Sequence, residues 1–121
     1  MGRNNIVGAW GEELAAKYLQ KKGYKILAMG FRCRFGEIDI IASNRKSLVF
    51  AEVKLRKNDN FANAADFVDL HKQERLRTTA SFYIDRSFTK LQPRFDVIEI
   101  YAPLGTQTEN PEIIHMEAAF E

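Results

Sequence analysis

Two β-branched runs, Gly36-Glu37-Ile38-Asp39-Ile40-Ile41-Ala42 and Leu48-Val49-Phe50-Ala51-Glu52-Val53-Lys54, are separated by the polar stretch from Ser43 to Ser47. Alternating runs joined so briefly predict a β-hairpin. Side chains two apart on a strand share a face, so Glu52 and Lys54 project together. A four-residue loop pairs Ser43 with Leu48, and the same register sets Asp39 opposite Glu52, with Cβ atoms about 4.5–5.5 Å apart. One face then carries Glu37, Asp39, Glu52 and Lys54 at the open end and Ile41 and Phe50 near the turn. The other face is apolar: Ile38, Ile40, Ala42, Val49, Ala51 and Val53.

The remaining elements follow from periodicity and punctuation. Val7, Leu14, Tyr18 and Leu19 recur at helical spacing from Ile6 to Lys22, and Gly23 supplies a stop. At about 100° per residue, Glu12 lies on the border of that stripe and Glu13 nearly opposite it. Trp10 lies toward its side. Tyr24 to Met29 reads as a strand, followed by the basic aromatic stretch Phe31-Arg32-Cys33-Arg34-Phe35. The chain is polar and irregular from Arg56 to Phe67. Asp69 is then an N-cap for a helix to about Ile84, with Leu76, Ala80, Tyr83 and Ile84 buried. Gln73 falls on the same stripe and needs a partner. Pro93 precedes a strand from Arg94 to Tyr101, and a last strand runs from about Glu112 to Glu117. The order α-β-β-β-α-β-β predicts an α/β fold, a mixed sheet with helices against it, built as one domain over residues 1–121.

Cys33 is the only cysteine, which excludes an internal disulfide, and neither His71 nor His115 belongs to a zinc-type cluster. Met1–Asn5 lacks the apolar stretch of a signal peptide and no run approaches membrane-spanning length, so the cytoplasm is the expected compartment. Every Lys and Arg lies at or before Arg94, giving residues 1–98 a net charge of +7, while Glu99, Glu109, Glu112, Glu117 and Glu121 make the remainder −5. A body this basic can meet a phosphate backbone, although charge alone fits a solvated surface equally well.

Two carboxylates as close as Asp39 and Glu52 repel, and one has a raised pKa unless a cation lies between them. Magnesium takes one or two carboxylates together with waters and substrate phosphate oxygens. Lys54 could orient and help deprotonate an attacking water, or neutralise charge developing on phosphate. Glu12 is the candidate for a further carboxylate. The bare spacing is weak, since a D/E-x-K after an Asp arises often by chance. The strand context and shared face give it weight against a plain surface ion pair of Glu52 with Lys54. Arg32 and Arg34 read as exposed strand-end arginines before phosphate contacts, Lys72, Arg75 and Arg77 as a solvated helix side before a binding one, and Arg94 and Asp96 as a pair or as support for the site.

Gly11-Glu12, the run from Gly36 to Ala42, the run from Val49 to Arg56, Lys72 with Arg75-Leu76, and Arg94 to Ile98 together resemble the YraN family of uncharacterised bacterial proteins. That family is similar to the restriction-endonuclease-like PD-(D/E)xK superfamily and, within it, to archaeal Holliday-junction resolvases. The resemblance implies a nuclease fold in which Glu12, Asp39, Glu52 and Lys54 surround magnesium, with Asp39 and Glu52 as metal ligands. Ile38 stands where the superfamily name has Pro, and Phe61-Ala62-Asn63-Ala64 and Asp66-Phe67-Val68 depart from the family pattern.

The expected function is therefore a Mg²⁺-dependent endonuclease, with Mn²⁺ as a substitute ion, hydrolysing phosphodiester bonds in DNA in preference to RNA, branched or junction DNA included. By analogy with resolvases it would work as a homodimer. The rival is a non-catalytic nucleic-acid-binding or adaptor module that keeps the fold and the carboxylates for structural reasons. Lys54 favours the enzyme, because a structural ion pair would accept Arg.

Overall fold

A computed structural model describes residues 6–57 and 69–121. The readings made for Met1–Asn5, Phe61–Ala64 and Asp66–Val68 lie outside those residues.

Helix α1 (Ile6–Lys21) ends where Gly23 adopts φ 95°. The N–H of Tyr24 donates to Leu19 O at 3.0 Å and that of Gly23 to Gln20 O at 3.0 Å, so the last carbonyls are satisfied by a Schellman turn. Strands β1 (Lys25–Cys33), β2 (Gly36–Ser43) and β3 (Ser47–Arg56) follow, then helix α2 (Leu70–Ser87), strand β4 (Gln92–Tyr101), a 3-10 turn (Gly105–Gln107) and strand β5 (Glu112–Phe120). The Asp69 side chain caps α2 by accepting the Lys72 N–H at 2.8 Å.

The five described strands lie in sequence order, and among them only the β3–β4 pair is parallel. Parallel neighbours need a crossover connection, and α2 lies within it. In the β2–β3 hairpin Ser43 pairs with Leu48, as the loop length predicts. Asn44 Oδ1 holds that loop by accepting the N–H groups of Lys46 and Ser47 at 2.9 and 2.7 Å. A second hairpin closes at Cys33 and Gly36. It extends β1 to Cys33, through the first three residues of the basic aromatic stretch, and leaves Arg34 and Phe35 as the turn. Arg56, expected to begin an irregular segment, is instead the last residue of β3.

The sheet is covered on both faces. Ala15, Ala16 and Leu19 of α1 pack on Ile40, Ala42, Val49, Ala51, Ile98 and Ile100. Leu76 and Ala80 of α2 pack on Ile41, Leu48, Phe50, Phe95 and Val97. Each fully buried aliphatic side chain contributes roughly 1.5–3 kcal/mol. Helix α1 approaches β3 closely at Gly11, where a Cβ would stand 3.0 Å from the Leu55 side chain. Ile38 differs from expectation, for it joins Ile41 in the α2 core rather than Ile40 in the α1 core. The alternation of β2 breaks between them, at Asp39.

Candidate functional site

The β2–β3 ladder runs from Ser43↔Leu48 to Ile40↔Ala51 and stops there. Carried on, its register would set Asp39 opposite Glu52 and Ile38 opposite Val53. Instead, Asp39 Oδ2 accepts the Val53 N–H at 2.9 Å, so a side chain replaces a backbone acceptor. The strands part beyond this bond, and a cleft of about 860 Å³ opens between α1, the β2–β3 hairpin and α2. Glu12, Asp39, Glu52 and Lys54, the four residues singled out in the sequence, all line it. Glu13 is exposed to solvent, as its helical angle predicts.

The cleft also takes in Arg32, Glu37, Lys72, Arg75 and Thr79. Lys72, Arg75, Leu76 and Thr79 share a side of α2 at helical spacing. The sequence predicts a solvated side of α2 for Lys72 and Arg75, because nothing local says which way that helix turns. Lys72 Nζ lies 3.0 Å from Glu52 Oε1. Glu52 is only 6% exposed, so its partner is a cation from α2, not Lys54 on its own strand. Gly36 lets α2 close on the hairpin: a Cβ there would stand 3.0 Å from Thr79 Oγ1, at φ 152°. Gln73, expected to need a partner, is half-buried and makes an interaction of its own.

Burial dominates the electrostatics of the carboxylates. Desolvation raises the pKa of Asp39 from 3.8 to about 6 against the Val53 bond, and Glu12 and Glu37 push it further. Glu52 is raised by burial and by Asp39, with Lys72 opposing. Glu12 is raised by burial, and its side chain lies within hydrogen-bonding reach of Asp39. Burial thus makes both Glu12 and Asp39 hold their protons more firmly than exposed carboxyls do. Lys54 is pushed down by burial and by Lys72, so it loses its proton more readily than an exposed lysine.

Glu12, Asp39 and Glu52 come from three different elements and offer hard oxygen donors, the chemistry that suits Mg²⁺ or Mn²⁺ and not a thiophilic ion. Among the described residues no three His, Cys, Asp or Glu side chains are drawn together tightly enough to hold an ion in this arrangement. Two carboxylates with waters suffice for magnesium, and a divalent ion would offset the burial and the carboxylate repulsion that raise Asp39 and Glu52.

Arg94 and Asp96 pair with each other, at 2.9 and 2.8 Å, beneath α1 and away from the cleft. Asp96 is fully buried and also bonds His115 Nε2 at 2.6 Å and the Ala118 N–H at 3.0 Å. His115 Nδ1 in turn meets the Tyr18 hydroxyl at 3.2 Å. His115, which stands alone in the sequence, is a member of this network. Arg77 donates to the Glu121 carbonyl at 2.6 Å. Trp10 packs against the α1 core.

The family model described as "Uncharacterised protein family UPF0102" matches residues 11–100. A UPF0102 protein of Caldanaerobacter subterraneus is 47% identical over 112 residues, 92% of this chain and 86% of that protein. One from Clostridium botulinum is 38% identical over 98% of this chain and 96% of its own length. One from Nocardia farcinica is 37% identical, with coverage of 99% and 93%. No described helix is long and apolar enough to cross a membrane.

Proposed function

The chain belongs to the UPF0102 family, and from that premise and the chemistry of its cleft we propose a magnesium-dependent nuclease of the restriction-endonuclease-like fold, hydrolysing phosphodiester bonds in DNA. One observation carries the reading: carboxylates from α1, β2 and β3 share a cleft with Lys54 and Lys72. Carboxylates gathered this way, one buried and two half-buried, repel one another, and a divalent cation would relieve them. Asp39 and Glu52 would hold the ion, with Glu12 beside them. When bound, the ion supplies Lewis-acid polarisation of a phosphate oxygen and a more acidic water.

The chain's own residues supply the rest. Lys54, its proton held less firmly than usual, orients a water and in its neutral form accepts that water's proton. As the water attacks phosphorus, the P–O bond to the leaving sugar oxygen breaks and that oxygen takes a proton from solvent. Lys72 and Arg75 face the same cleft as cations and neutralise charge spreading onto the phosphate oxygens. Glu12, beside Asp39, positions a water or adds a further oxygen ligand. The Val53 N–H fixes the Asp39 carboxylate in place.

The Glu52–Lys72 bond favours a second reading, because it neutralises Glu52 without any metal. In that reading the fold is a nucleic-acid-binding or adaptor module. Incubating wild type and Asp39→Asn with linear, flapped and four-way DNA, in Mg²⁺ and in EDTA, separates the two. Mg²⁺-dependent cleavage lost in the variant supports the nuclease. Binding with no cleavage of any substrate overturns it in favour of the module.

A further inference from the structure

Beside the carboxylate cleft lies a second cavity of about 250 Å³, lined by Phe35, His71, Glu74, Arg75 and Thr78. Arg75 lines both spaces. Phe35 stands at the tip of the β1–β2 hairpin, in a turn of two residues, and is 37% exposed. Such turns favour Gly, Asn or Asp, so nothing in the turn itself calls for an aromatic ring. The ring is braced edge-to-face by Phe82 at 5.9 Å between centroids. Phe82 is held in turn by Arg86 at 3.6 Å and by Phe31 at 6.4 Å. The Arg34 guanidinium lies over one face of the Phe35 ring, 4.9 Å from its centre, so a stacked base would take the other face.

We propose that this cavity is a subsite for one unpaired nucleobase of the DNA strand entering the cleft, stacked on Phe35 with its phosphate beside Arg75. The inference rests on the nuclease reading for its strand, and on the cavity for its own content. At about 250 Å³ the space falls below the 300–1,000 Å³ range of drug-sized ligands and suits a single ring system. A flat aromatic with nearby arginines is the platform on which single strands stack, because every base has a π-face and every nucleotide a negative charge. Glu74 is the one carboxylate among the described lining residues and would repel a phosphate there, but it can accept from an exocyclic amine at a base edge. The Thr78 hydroxyl donates to the Glu74 carbonyl at 3.0 Å, which leaves its lone pairs free to accept. A base inside duplex DNA reaches this space only by leaving its stack. The subsite therefore selects flaps, junction openings and single strands over continuous duplex.

The test uses the full chain and fluorescein-labelled oligonucleotides in Ca²⁺: a single strand, a flap and a blunt duplex of the same sequence, followed by anisotropy. Phe35→Ala is expected to weaken single-strand and flap binding by about 5- to 150-fold, the span of base–aromatic stacking. Duplex binding should move less than about twofold on the same scale. Phe35→Leu keeps the apolar packing on Phe82 without the ring, guards against a folding defect, and should behave as Phe35→Ala. Phe35→Trp should retain affinity, with emission quenched by the single strand and not by the duplex. Equal loss on all three DNAs, no loss, or no wild-type binding to any of them overturns the subsite. The outcomes also separate the two ideas. Phe35-dependent single-strand binding without cleavage keeps the subsite and removes the nuclease, while Asp39-dependent cleavage indifferent to Phe35 does the reverse.

Discussion

The Asp39 carboxylate accepts the Val53 main-chain N–H at 2.9 Å, side chain to backbone across the β2–β3 hairpin. The ladder ends beside this bond, Ile38 lies in the opposite core from Ile40, and Asp39 remains a half-buried acid lining the cleft. Its consequences for stability and activity can be measured.

In EDTA, wild-type stability should fall as pH rises from about 4 to about 6. Asp39 has a pKa raised from 3.8 to about 6, so across that window the folded state binds more protons than the unfolded state. The contribution is full below the unfolded pKa and lost above the folded one, and a shift of this size is worth about 3 kcal/mol, spread over the Asp39, Glu12 and Glu52 group. Asp39→Asn keeps an oxygen for Val53, removes the charge, and should flatten the slope. Urea unfolding at pH 4, 5, 6 and 7 gives the comparison; identical slopes would sink the account.

Magnesium should stabilise wild type near neutral pH. At a hundredfold excess over Kd, linkage gives about 2.7 kcal/mol, or a Tm higher by about 10 °C. Asp39→Asn and Glu52→Gln should lose this response and cleave DNA at least about 100-fold more slowly. Lys54→Arg should be as inactive as Lys54→Ala, because Arg cannot lose its proton at working pH. Melting scans with and without the ion, run beside cleavage assays, decide it; an active Lys54→Arg would remove the proton-accepting role.

Lys72→Met leaves buried Glu52 without its 3.0 Å partner. The expected loss is about 1–3 kcal/mol in EDTA, less than for a fully buried pair because Lys72 is partly exposed. Mg²⁺ should restore more stability to this variant than to wild type, since it replaces the missing cation. Denaturation in both buffers tests this, and a deficit unchanged by Mg²⁺ would mean that the two cations do not share a site.

Asp96→Ala should destabilise by about 3–5 kcal/mol, because it strands Arg94 and His115 beneath α1. Burial acts to raise the Asp96 pKa, yet the bonds from His115 and Arg94 outweigh it and hold the carboxyl low. Its contribution is therefore present above the ordinary Asp pKa and lost as pH falls through the folded value. The protein that remains folded should keep its wild-type affinity for Mg²⁺. Calorimetric titration below the melting range checks that separation.

Local sequence determined the elements and part of the site. Gly23 ended α1, Asp69 capped α2, the loop of residues 44–47 fixed Ser43 against Leu48, and helical phase separated Glu12 from Glu13. Each of these depends on residues a few positions apart, where turn chemistry and periodicity act. Tertiary structure alone decided that Lys72 neutralises Glu52, that Arg75 joins two cavities, and that Asp96 meets His115. Those partners are brought together by the β3–α2–β4 crossover and the β4–β5 pairing. No periodicity within either partner's own segment records where the other will pack, because that position is set by burial of the whole sheet.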